Sequence, residues 1–241
     1  MTDDTRRASD PKPFPADLVP TVIFEDTHLV VVSKPAGLLA QGESTGDVNL
    51  VDWCRGYFGR NYVGLVHRLD RNTSGMMVVA KRSKAADRLS EALREGTLIR
   101  VYRALVHGRI ASPVEWRHWL KKDERTNTST VVRAGTPGAK EAGLRAVPVE
   151  ARTIGTSEVT LVEFHLETGR SHQIRVQSAA SGHALLGDTK YGGRESSAGA
   201  PAFPRPALHS FRLEFPHPMT KEILRFEDPV PADFKTLWGN Q

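Results

Sequence analysis

The sequence predicts an α+β fold: a single domain with a mixed, largely antiparallel sheet flanked by helices and loops. Three observations predict it. Runs rich in β-branched and aromatic residues outnumber the stretches with helical periodicity. Most of these runs are joined by short connections. No linker divides the 241 residues, whose 39% hydrophobic and 25% charged composition is that of an ordinary globular protein.

The elements follow in order. Residues 1–20 are rich in Pro, Asp, Arg and Ser without periodicity and read as a disordered tail, leaving 21–238 as the folded domain. Residues 21–25 and 28–33 are β-rich runs separated by Asp26-Thr27, a hairpin or two adjacent strands. Lys34-Pro35-Ala36-Gly37 turns the chain, and Lys34 reads equally as a phosphate contact or a solvated turn lysine. Leu50, Trp53, Cys54, Tyr57 and Phe58 recur at helical spacing, with the aromatics expected in the core. Residues 62–66 and 76–80 are apolar and read as two buried strands. Ser83 reads as the N-cap of a helix that runs to about Glu95 and stops at Gly96. Ala86, Leu89, Ala92 and Leu93 supply its buried face, and Lys84, Arg88 and Arg94 its outer one.

Residues 100–107 form a strand with Tyr102, Ala104 and Val106 on one side. Further strands are expected at 113–122 and 129–134, around a charged turn at 121–125, and near 143–153 and 158–167 after the breaker at 135–138. Ser171 reads as the N-cap of a helix over 172–181 that ends before Gly182. A turn at 187–193 leads into a low-complexity loop to about Pro206. Two strands, 207–215 and 222–227, and a helix at about 232–238 close the chain.

Charge and cysteine usage narrow the function. The net charge is +5, and between Lys81 and Arg133 thirteen Lys/Arg face six Asp/Glu. A positive region within the folded body suits a polyanion such as nucleic acid, although a solvated face would also carry it. The one cysteine, Cys54, rules out an internal disulfide and a cysteine-based metal cluster, favours a reducing compartment, and reads as a small core residue. There is no secretory h-region and no apolar run of membrane-spanning length, so a soluble cytoplasmic protein is expected.

Two stretches carry chemistry. In His67-Arg68-Leu69-Asp70-Arg71-Asn72-Thr73-Ser74-Gly75 one carboxylate, Asp70, sits between two arginines at a strand end, where a scaffold presents reactive groups. Capping a turn and pairing with Arg68 or Arg71 is the plainer role for it. In Thr168-Gly-Arg-Ser-His-Gln-Ile-Arg175, His172 and Arg175 would share a helix face near an N-terminus that favours anions. Arg175 could equally pair with a strand-end acid.

The first stretch resembles the signature of the RluA-type pseudouridine synthases. The similarity continues, in the family's order, in residues 100–106, 168–175, 187–192, Leu208-His209 and 215–218, with Glu25-Asp26 and residues 34–37 before them. It spans roughly Val22 to Phe234. What it implies is conversion of uridine in ribosomal or transfer RNA to its carbon-linked isomer, by a monomeric enzyme that needs no cofactor and no metal. It assigns catalysis to Asp70, whose charged form a positive neighbour favours, with Arg175 as that neighbour. Tyr102 would stack on the extruded uracil and accept the proton leaving carbon 5. Arg68, Arg71, Thr73, Arg170, His172 and Lys34 are candidate substrate-binding residues. His67, His172, His183, His209 and His217 read as structural, since guanidinium groups beside His67 and His172 would repel a metal cation.

The sequence departs from the family's pattern at Gln177, where His is common, at Ala184, where Pro is common, and at Arg100, where Lys is usual. Two other readings compete. One is a non-catalytic RNA-binding protein on the same fold. The other is a metal-dependent hydrolase using Asp70 with His67 or His172.

Overall fold

A computed structural model describes residues 14–43, 45–59, 61–192 and 202–238. The expected tail at 1–13 and most of the low-complexity loop, at 193–201, lie outside the described residues. A 3-10 turn at Ala16–Leu18 precedes β1 (Thr21–Glu25) and β2 (Leu29–Lys34); α1 (Leu50–Phe58), β3 (Gly64–Leu65) and β4 (Ser74–Ala80) follow. Then come α2 (Ser83–Arg94), β5 (Ile99–His107), β6 (Val114–Asp123), β7 (Thr128–Val132), β8 (Lys140–Ile154) and β9 (Ser157–Leu166). The chain closes with α3 (Gln173–Ala180), β10 (Leu208–Pro216), β11 (Ile223–Glu227) and α4 (Ala232–Trp238). No helix among the described residues is long and apolar enough to cross a membrane.

The strands form one sheet in the order β1-β2-β4-β10-β5-β9-β8-β6-β7, with β3 added on β4 and β11 on β10. Among the described strands every pairing is antiparallel except β4 with β10, which run parallel at Ser74–His209 and Gly75–Ser210. This seam joins the two halves of the sheet. Gly75 makes it possible: its φ is +108°, and a Cβ would lie 2.4 Å from the Ser210 carbonyl oxygen. Any larger residue would have to push β10 away from β4.

All seven residues of β4 are buried, as a central strand covered on both faces requires. Met77 and Val79 pack into the main core with Tyr102, Ala104 and Val106, while Met76 and Val78 pack against Leu89 and Ala92 of α2 on the other face. Each such side chain contributes about 1.5–3 kcal/mol by leaving water. Period-2 alternation on β5 and β9 is kept, with Tyr102, Ala104, Val162 and Phe164 on one face and Leu105 and Leu161 on the other.

Five expectations are corrected. Phe14 and Leu18 pack on the main core, so the ordered body begins before residue 21. In α1 Leu50 and Cys54 are buried and Trp53 and Phe58 pack half-buried against the main core, but Tyr57 is exposed and stacks on the outer side of Trp53 at 4.8 Å. The apolar run at 62–66 pairs only through Gly64 and Leu65. Ser83 is the first helical residue of α2, after an extended Arg82 with no side-chain cap. Likewise α3 starts at Gln173, not 172: His172 sits before it in the left-handed region, φ +54°, and Ser171 caps nothing.

Gln173 does that work from inside the helix. Its Oε1 accepts from the Arg170 backbone N–H (2.9 Å) and the Thr168 hydroxyl (2.7 Å), and its Nε2 donates to the Gly143 carbonyl (3.0 Å). Gln177 fastens the same helix to the sheet, donating to the Trp116 and Ala142 carbonyls at 3.1 Å each. Gln177, where the resemblance led histidine to be expected, therefore satisfies buried backbone acceptors.

Candidate active site

Asp70 lies in the connection between β3 and β4, four residues short of the seam. A turn closes behind it, Thr73 N–H to the Asp70 carbonyl at 3.0 Å. The connection alternates in burial: His67 and Leu69 point inward, Arg68 is exposed, and the Asp70 side chain keeps 31% of its surface. His67 Nε2 accepts the Val78 backbone N–H at 3.2 Å. Burial, and then the nearby Arg100 charge, push the pKa of His67 down to about 3.

Two buried cations hold the backbone of this connection from below. Lys34 Nζ donates to the carbonyls of Arg71 (3.1 Å), Leu38 (2.8 Å) and Pro35 (3.0 Å). Arg205 Nη1 donates to the Asn72 carbonyl at 3.1 Å, and its other side forms a two-pronged pair with Asp233 of α4. Neutralising carbonyls at two consecutive residues fixes the loop without using the Asp70 carboxylate. The phosphate-contact expectation for Lys34 is thereby overturned. Its side chain is fully buried and its three protons are committed to protein carbonyls.

The carboxylate faces α3. Arg175 Nη1 stands 3.3 Å from Asp70 Oδ2, and the same guanidinium grips Asp188 with Nε–Oδ2 at 2.7 Å and Nη2–Oδ1 at 2.8 Å. Tyr191 lies against it, with the guanidinium carbon 5.1 Å from the ring centre. Burial opposes the Arg175 charge, but Asp188 and then Asp70 outweigh it, so its pKa lies above the ordinary value. His172 reaches the same carboxylate at 3.8 Å through Nε2, and its Nδ1 hydrogen-bonds the Tyr191 hydroxyl at 2.7 Å. That hydroxyl also accepts the Ser129 backbone N–H at 2.7 Å. Burial holds His172 below the usual histidine range, against the pull of Asp70.

Asp70, His172, Arg175 and Asp188 line a cleft of about 1100 Å³. Tyr102 forms part of its wall from β5, 5% exposed, between Ser210 and Phe164 on the flanking strands. Burial raises its pKa, with Arg100 opposing and Asp70 adding to the rise, so the phenol keeps its proton at neutral pH. Asp70, Tyr102 and Arg175 therefore meet from three distant parts of the chain.

The other sequence candidates divide. Thr73 is buried and lines the cleft. Arg68 and Arg170 are exposed on its wall, Arg170 with Nε on the Glu141 carbonyl at 2.8 Å. Arg71 also lines the cleft, but its guanidinium is tied to Asp47 (2.7 Å) and the Gly37 carbonyl (3.1 Å). Sequence reasoning missed Asp188, Tyr191, Gln173 and Arg205. Asp188 and Tyr191 stood in the block at 187–192, which was read as a turn and as part of the resemblance but given no site role; Gln173 and Arg205 carried no comparable signal.

Comparison with known proteins places this arrangement. Residues 28–180 match the family described as RNA pseudouridylate synthase. The chain is 37% identical to the uncharacterized RNA pseudouridine synthase YjbO of Bacillus subtilis, over 94% of this chain and 76% of that protein. It is 36% identical to ribosomal large subunit pseudouridine synthase D of Neisseria meningitidis serogroup A, over 94% of this chain and 61% of that one. Among solved structures, human RNA Pseudouridylate Synthase Domain Containing 1 aligns with a TM-score of 0.73 at 27% identity, covering 92% of this chain and 88% of its own. With its fold, its ordered motifs and these relatives in agreement, the chain belongs to the RluA-type RNA pseudouridine synthase family and is an isomerase of that class.

Proposed function

We propose that the chain acts as a monomeric, cofactor-free catalytic unit that isomerises uridines of structured ribosomal or transfer RNA in the cytoplasm. Asp70 is the reactive carboxylate. The observation that carries this reading is the convergence of Asp70, Arg175 and Tyr102 on one cleft, with every group supplied by a single chain.

The reaction breaks the bond from uracil N1 to ribose C1′, turns the base and joins C5 to C1′. One proton leaves C5 and one is gained at N1, so the overall change is an isomerisation. Asp70 acts on the sugar or the base as that bond breaks, and its loop is rigid enough to hold it there. Arg175 steers the carboxylate and keeps negative charge favourable beside it. Asp188 makes the guanidinium stationary, so that its third nitrogen is aimed at Asp70. The Tyr102 ring lies against the uracil, with its hydroxyl near the departing C5 proton.

A uridine inside folded RNA must be turned out of its stack to enter the cleft, which calls for cationic contacts to the surrounding phosphates. Arg68 and Arg170 serve that purpose on the wall, with Arg71 beside Asp47. His172 and Thr73 contact the nucleotide nearer the carboxylate.

The ribosomal target is favoured by relatives named for the ribosomal large subunit. Pseudouridine mapping in cells with and without this gene is expected to lose sites in ribosomal or transfer RNA. Restoring the gene with Asp70→Asn is expected to leave them missing, with pseudouridine formation down by more than about 10⁴-fold. Full restoration by Asp70→Asn would remove Asp70 from the chemistry.

A further inference from the structure

Arg100 stands in the same cleft, two residues before Tyr102 on β5 and so on the same face of the sheet. It is 7% exposed, yet no carboxylate, carbonyl or hydroxyl among the described residues accepts from its guanidinium, and its Nε–H is buried without a partner. Every other buried cation around the cleft is matched: Arg175 by Asp188 and Asp70, Arg205 by Asp233, Lys34 by three carbonyls. A charge taken from water without an acceptor is a standing cost, which a fold keeps only where something outside the chain supplies the acceptor.

The surroundings point to the sign and size of that group. Arg68 and Arg94 line the same cleft, exposed, and no carboxylate pairs with either among the described residues. His67, next to Arg100, is neutral and accepts the Val78 N–H through Nε2, so its other nitrogen carries the ring proton and offers Arg100 no acceptor. Opposite the guanidinium stands Gly169, where a Cβ would lie 2.8 Å from Arg100 Nη1. Glycine there leaves that nitrogen uncovered. A planar fork of N–H groups at a cationic wall suits a phosphate bound in two-pronged fashion.

We infer that Arg100 is an anion-binding residue that takes a backbone phosphate of the RNA as the target nucleotide enters the cleft. This rests on the RNA-isomerase assignment but not on the role of Asp70. The phosphate would supply the acceptor that the protein withholds, so Arg100 would be fully bonded only in the complex. It would also anchor the strand one side chain away from Tyr102, where the base is expected to lie.

The test measures binding of a fluorescein-labelled oligouridylate to the full chain carrying Asp70→Asn, alone and with Arg100→Met or Arg100→Lys, across a salt series. Pseudouridine formation by the Asp70→Asn chain is assayed separately, so that an error in the catalytic assignment is seen independently. Arg100→Met is expected to melt within about 3 °C of its parent or higher, because an unpartnered buried charge has been removed. It is expected to bind about tenfold more weakly at about 0.1 M salt, with the slope of log affinity against log salt shallower by about 0.7, the share of one phosphate on a single strand. Arg100→Lys is expected to keep the parent slope. An Arg100→Met chain that binds with the parent affinity and slope would overturn the inference. So would one that melts many degrees lower, since that would mean the guanidinium has a partner within the protein.

Discussion

The cleft has two walls, each built around a buried arginine, and the two are treated in opposite ways. On the α3 side, Arg175 makes two short bonds to Asp188, one longer contact to Asp70, and lies against Tyr191. On the β5 side, Arg100 is as deeply buried and has no acceptor among the described residues. A saturated guanidinium cannot swing toward a ligand, so it serves to fix the geometry of its neighbours. An unsaturated one has bonds left to form, so it serves to capture. Burial alone therefore does not distinguish the two tasks; the count of acceptors does.

The largest effect expected on the saturated wall comes from Arg175→Met, which removes the group beside Asp70 and leaves the buried Asp188 carboxylate without its cation, with only the Lys190 N–H still bonded to it among the described residues. Single-turnover pseudouridine formation should fall by about 10³-fold even with RNA in excess. The variant should also be less stable by about 3–5 kcal/mol in urea unfolding, the usual cost of breaking a buried ion pair from one side. Asp188→Asn should be milder, at about 10²-fold in rate, because one oxygen still accepts from the guanidinium while its position loosens. If Asp188→Asn turned over at the wild-type rate, the clamp would have no catalytic role.

The smallest effect concerns stability, on the wall that holds Arg100. Folded His67 has a pKa of about 3 against an ordinary 6.5, so below pH 6.5 the unfolded chain takes up a proton that the folded chain refuses. Stability is therefore lost as the pH falls from about 6.5 toward 3, by about 2 kcal/mol from this group at about pH 5. Urea unfolding at about pH 7 and about pH 5 should show His67→Gln losing that much less than wild type. An unchanged pH dependence would mean His67 is accessible to protons in the folded state.

The same contrast explains what could be read from the sequence. Strands were legible because period-2 alternation reports directly on which face is covered, as on β5 and β9. Helical spacing in α1 placed Trp53 and Phe58 against the core correctly, but spacing does not say how far the covering reaches, and Tyr57 lies beyond it. The start of α3 was misplaced because the loop is tied by a glutamine inside the helix, where sequence rules look for a cap before it. Within the site, the pairing of Arg175 with Asp70 was visible only through the ordered motifs. Asp188 was hidden in a stretch whose glycines read as a turn. Lys34 looked like a surface lysine because its three carbonyl partners, from residues 35, 38 and 71, come together only in the fold. The missing acceptor of Arg100 is likewise a property of its surroundings, which no local pattern reports.

The division of labour between the walls is tested most directly by titrating RNA in single-turnover pseudouridine formation for Arg175→Met and Arg100→Met side by side. The Arg175→Met defect should persist undiminished at saturating RNA, while the Arg100→Met defect should shrink steadily as RNA is raised. Two defects that respond to RNA concentration in the same way would contradict that division.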